Sequence, residues 1–167
     1  MNQRIYRLTL LAMLITIAVV GRLAMQYIPS VQPVTAIIII SGYLLGPSAG
    51  IIIGVATVYL TNLSLGMGIW TIWQMIAWGS IGLFAGIIGR FQWKKEKKIL
   101  IIFSFFAAYY YGLILNSSMF VYTDKFIPFL LSSLPFDTYH AIGNVIFVSI
   151  LYPILKKALK RTNNKLQ

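Results

Sequence analysis

Positive charge in this chain is concentrated in three short clusters. Of 14 lysines and arginines, 12 lie there: Arg4 and Arg7; Arg90, Lys94, Lys95, Lys97 and Lys98; and Lys156, Lys157, Lys160, Arg161 and Lys165. The stretches between them are apolar enough for a bilayer interior. Cytoplasmic segments retain Lys and Arg, because a positive segment resists translocation. Three clusters on one side require an even number of crossings between each pair, so both termini are expected in the cytoplasm.

Hydrophobic residues are 59% and charged residues 10% of the 167, against about 25% charged in ordinary soluble domains. The expectation is an all-α, polytopic membrane bundle forming a single integral domain over residues 1–167 of a bacterial cytoplasmic membrane. The net charge of +11 sits at membrane boundaries rather than along a folded face. Anionic lipid is therefore the expected partner of the basic loops, and nucleic acid is not. With zero cysteines, disulfides, thiolate chemistry and Cys-ligated metals are excluded.

Six segments are predicted, at about 6–28, 31–45, 48–64, 70–89, 99–122 and 136–159. Spans must be helical, since lipid offers no partner for an unpaired backbone group. The first is too long for a cleaved leader. The second and third are separated by Gly46-Pro47 and are each short, against about 20 residues for a crossing; two spans and a re-entrant pair both remain open. The run Lys94-Lys-Glu-Lys-Lys98 reads as a solvated loop with Glu96 as a local charge partner, and 123–135, with Asp124 and Lys125, as an external loop. Gly46, Gly50 and Gly54, and then Gly82 and Gly86, recur every four residues, which allows close helix approach within the bundle or against a partner.

Little here can perform a reaction. Glu96, Asp124 and Asp137 are the acidic residues and His140 the lone histidine. No histidine pair can hold zinc and no phosphate-binding loop is present, so the chain reads as a non-enzyme without a metal, a cofactor or an ATP site of its own. Its polar groups gather instead toward one end: Arg22, Gln26, Ser30 and Gln32 after the first segment; Asn62; Trp70, Trp73 and Gln74; Asn116; and Asp137, His140 and Asn144. The last three are spaced three and four apart, so they share one helix face. Intramembrane polar groups are costly unless they line a cavity. Arg22, Gln32, Asn62, Trp70, Trp73, Gln74, Asn116, Asp137, His140 and Asn144 are thus the candidate substrate-binding residues of an externally open site. Each has a plainer alternative: Arg22 reaching the headgroups, the tryptophans as interface anchors, the asparagines as helix bridges.

The stretches Val31-Gln-Pro-Val-Thr-Ala36, Gly42-Tyr-Leu-Leu-Gly-Pro47, Gly66-Met-Gly-Ile-Trp-Thr-Ile-Trp-Gln-Met75, Trp78-Gly79 and Gly82-Leu-Phe-Ala-Gly86 resemble a substrate-binding S component of an energy-coupling factor (ECF) transporter, and within it the cobalamin branch. The resemblance implies a six-helix bundle that captures a vitamin outside, docks on a membrane T protein driven by two cytoplasmic ATPases, and topples to release its cargo inward. It also implies docking through an Ala-x-x-x-Ala pattern on the first helix; here Ala12 is followed four residues later by Thr16. Pantothenate, a flavin or a modified-base precursor are the alternative ligands. A self-sufficient carrier would need a polar path through both leaflets, and a ligand-free assembly protein would not need the polar cluster.

Overall fold

The described parts of the three basic clusters meet at one end of a helical bundle. The computed structural model describes residues 3–91, 93–118, 123 and 126–163. Asp124 and Lys125 of the expected external loop, and the expected close of the fifth segment at 119–122, lie outside the described residues. Among the described residues there are six helices and no strand: α1 (Gln3–Ala24), α2 (Val34–Leu45), α3 (Pro47–Leu65), α4 (Trp70–Ile88), α5 (Glu96–Ser117) and α6 (Phe126–Asn163). All but α2 are long and apolar enough to cross a membrane.

The packing is that of a bundle in apolar surroundings. α1 turns Leu11, Leu14, Ala18 and Arg22 inward, positions three and four apart that share one face. Its other faces leave Leu8, Met13, Ile17 and Val20 exposed, as lipid-facing side chains would be. α2 is buried from Val34 to Tyr43 and contacts all five other helices. A helix that is apolar all round belongs in a core, and α2 is the central pillar of this one.

Glycine sets the closest approach, between α3 and α4. A methyl group placed on Gly50 would meet the backbone of Gly82, and one on Gly82 would meet Gly50. Two glycines face each other where the backbones touch, so the glycine spacing serves packing within the bundle.

At the basic end Arg7 Nη2 donates to Ser48 Oγ at 3.2 Å, which places the start of α1 beside the start of α3. Lys156 of α6 pairs with Glu96 at the start of α5, and the Tyr152 hydroxyl donates to the same carboxylate. The turn at Gly46, with φ of 95°, lies at this end too, so α2 reaches the basic end before α3 departs from it.

Three expectations are corrected. Residues 126–135, read as external loop, are the opening turns of α6, which runs 38 residues straight through Pro135 and Pro153. Proline removes one ladder bond, here that to the Leu131 carbonyl; nearby, Ser132 and Thr138 turn their hydroxyls back to the carbonyls of Phe129 and Leu134. The first segment stops at Ala24 rather than 28, since 25–30 form turns. Glu96 does not sit within a solvated loop: it opens α5 and pairs with Lys156, 60 positions away.

Candidate functional site: a polar and aromatic cluster under a cleft

The end of α1 brings an arginine to a place where lipid cannot reach it. Arg22 is 8% exposed. Its Nη1 donates to Thr61 Oγ1 of α3, and its guanidinium lies 4.9 Å from the centre of the Trp78 ring of α4. The Thr61 hydroxyl donates in turn to the Thr57 carbonyl at 2.7 Å, which fixes its lone pairs toward the arginine.

Trp78 carries the cluster to the start of α2. Its indole N–H donates to Thr35 Oγ1 at 2.9 Å, and the same hydroxyl is 2.8 Å from His140 Nε2 on α6. One threonine thereby ties three helices together. The Tyr111 ring of α5 stacks on Trp78 at 4.9 Å and meets the His140 ring edge-on at 5.3 Å. Gln74, which shares the cleft wall with Tyr111, accepts from Asn62 Nδ2 at 2.8 Å. Asn62 also donates to Thr71 Oγ1, which takes the Gly68 amide as well, so this corner ties the end of α3 to the start of α4.

Above this cluster opens a cleft of about 370 Å³, walled by Arg22, Met25, Gln32, Leu65, Gln74 and Tyr111, with the turn residues Gln26 and Ser30 at its side. Ser30 has φ of 59°, the one positive value among the described non-glycine residues. Such strain costs on the order of 1–3 kcal/mol and gathers where a site over-determines the backbone. A cleft of this size is at the lower end of small-molecule sites, which run about 300–1,000 Å³. A larger cleft of about 600 Å³ lies at the basic end, walled mainly by lysines of 94–98 and Lys156; its one carboxylate, Glu96, is already taken up by Lys156 and Tyr152.

Of the expected binding residues, the structure brings Arg22 and His140 into one network, and the Asn62–Gln74 pair meets Arg22 and Gln32 at the cleft wall through Gln74. The others stand apart. Asn116 donates to Ser133 at 2.7 Å and Ser133 to Asp137 at 2.9 Å, a separate knot between α5 and α6. Asn144 is fully buried and donates to the Ser104 carbonyl. Asp137, His140 and Asn144 all face inward, yet only His140 reaches the cluster. Trp70 is exposed at the head of α4 and Trp73 half-buried. Thr35, Thr61, Thr71, Trp78 and Tyr111 were not foreseen as site residues. Gln74 and Trp78 are four apart on one helix face, a signal that was open to reading; the threonines carry none that separates them from packing residues. Among the described residues no cluster of His, Asp and Glu could hold a metal.

Ala12 and Thr16 are exposed on α1 and take no part in the packing, apart from the Thr16 hydroxyl returning to the Ala12 carbonyl at 2.9 Å. Comparison with known families gives a match over residues 6–155 to one described as ECF transporter, substrate-specific component. No curated protein and no solved structure matches the chain.

Proposed function

The chain belongs to the family of substrate-specific components of ECF transporters, and on that premise we propose that it captures a micronutrient outside the cell and delivers it through a T protein and two ATPases. As a member of that family it is a multi-pass membrane transporter subunit and not an enzyme. The observation that carries the proposal is the buried Arg22–Trp78–Thr35–His140 network beneath a cleft, at the end of the bundle opposite its basic clusters. A few fixed polar groups among aromatic walls suit small-molecule recognition.

In this reading the basic end lies in the cytoplasm, with both termini, and the cleft opens outward. α2 with the turn before it counts as the second of six passes. The substrate is a vitamin. The motif likeness supports cobalamin or a related corrinoid, but a corrinoid needs the turn at 25–30 to move aside, whereas about 370 Å³ supports a compact ligand such as pantothenate, a flavin or a modified-base precursor. The exposed Ala12 and Thr16 are the docking face for the T protein, since small side chains permit a close helix crossing.

Native mass spectrometry on protein purified gently from cells grown with a full vitamin mixture tests the proposal. A retained vitamin establishes capture and names the ligand. Bare protein that takes up no vitamin on addition removes the capture reading.

A further inference from the structure

Resting on the capture reading, we propose that the substrate carries an anionic group, a carboxylate or a phosphate, which seats against Arg22 in the cleft. Two independent features of the cleft converge on negative charge. The first is Arg22 itself. A guanidinium has five N–H donors, and here one hydrogen bond is made, to Thr61. Among the described residues the ion pair is Glu96–Lys156, at the other end of the bundle, so no described carboxylate balances Arg22. A charge this deeply withdrawn from water is costly until it is paired. The cleft it lines is where its pair can enter.

The second feature is the N-terminus of α2. Pro33 occupies the N-cap position and no side chain caps the helix. The first-turn N–H groups of a helix are unsatisfied donors, and its dipole adds partial positive charge there. Gln32, two residues before α2, lines the same cleft as Arg22, and Trp78 links the two directly by lying under the guanidinium and donating to Thr35. Val34, Thr35 and Ala36 are fully buried, so the first-turn donors of α2 do not open into the cleft, but the positive end of the helix lies close enough to add to the field around Arg22. The planar fork of the guanidinium matches a carboxylate or a phosphate in two-point contact. Asp137, the nearest acidic candidate on α6, is engaged with Ser133 and set against Gly112, so it does not fill the seat.

The test compares matched compounds on wild-type protein in detergent: pantothenate against panthenol, and riboflavin 5′-phosphate against riboflavin. The compound retained from rich medium is identified alongside by mass spectrometry. The anionic member of a pair binds and its neutral partner does not, or the retained compound bears a carboxylate or a phosphate; which of the two is bound separates the sources. Arg22→Gln weakens that binding by about tenfold to a hundredfold, and Arg22→Lys restores part of it. These comparisons on wild type require no variant to fold. Retention of a neutral compound, or equal affinity within a bound pair, overturns the anion seat while leaving capture standing. No retained compound and no binding of any probe overturns both.

Discussion

Replacing Thr35 by valine removes one hydroxyl and leaves side-chain shape almost unchanged. Thr35 is fully buried, and its oxygen serves both the Trp78 indole at 2.9 Å and His140 Nε2 at 2.8 Å. Valine therefore orphans two groups on two other helices. An orphaned buried polar group costs about 1–3 kcal/mol. Hydrogen bonds between helices in lipid average only about 0.6 kcal/mol, because the unfolded chain in the membrane also finds partners. Weighted toward the lower end, two orphans amount to a loss of about 2–3 kcal/mol. Thr35→Ser keeps the oxygen and loses a methyl group, a loss of about 1 kcal/mol. Equilibrium unfolding in mixed micelles, followed by tryptophan fluorescence, should rank wild type above serine and serine above valine. A valine variant as stable as wild type would refute the idea that this hydroxyl holds three helices together.

Other outcomes can be checked with the same preparation. Gly82→Ala, which drives a methyl into the Gly50 backbone, should cost more than 1 kcal/mol by the overpacking rule of about 1–3 kcal/mol. By contrast Gly143→Ala, whose new methyl would find its nearest neighbour at 3.5 Å, should be neutral or stabilising in the same unfolding assay, given about 1 kcal/mol of helix propensity. Glu96→Gln breaks a pair whose side chains are 37% and 32% exposed, so it should cost no more than about 1 kcal/mol, with the difference shrinking in high salt. Ala12→Trp should abolish co-purification with the T protein while ligand retention and the melting temperature stay at wild-type values; normal assembly would remove that face from the docking scheme. Ser30→Gly relieves a left-handed backbone and should leave stability unchanged or raise it by up to about 1 kcal/mol, as read by thermal melts.

The clustered charges made the two ends of the bundle legible, because Lys and Arg have few tolerable places in a membrane protein. Helix α4 was legible to within a residue, since Gly66 and Gly89 bracket an unbroken apolar run. The extent of α6 was not: Pro128 and Pro135 signal a break in water, where loops find hydrogen bonds freely, and that rule weakens in an apolar bundle, where leaving the helix would free more backbone groups than the proline does. Within the site, charge and amide groups stood out against an apolar background, so Arg22, Asn62, Gln74 and His140 were visible. Thr35, Trp78 and Tyr111 were hidden, because threonine and aromatic residues pack apolar cores as readily as they hold polar networks. Asn116, Asp137 and Asn144 find their partners on neighbouring helices or one turn away, which a sequence cannot distinguish from lining a cleft, because a polar residue within a bundle is as well satisfied by a neighbouring helix as by a ligand.

The brevity of α2 bears on how the protein is made. Twelve residues rise about 18 Å, well short of the roughly 30 Å hydrocarbon layer. As it leaves the ribosome, this stretch is a poor candidate for independent partitioning into lipid. It is better placed to enter with α3 as one hairpin, closed at Gly46 and Pro47, and to reach its central position only when α4 and α6 close around it. Thr35, at its head, is bonded to both of those helices. The core of this bundle is thus completed only when the C-terminal helix brings His140 against Thr35 beneath the cleft.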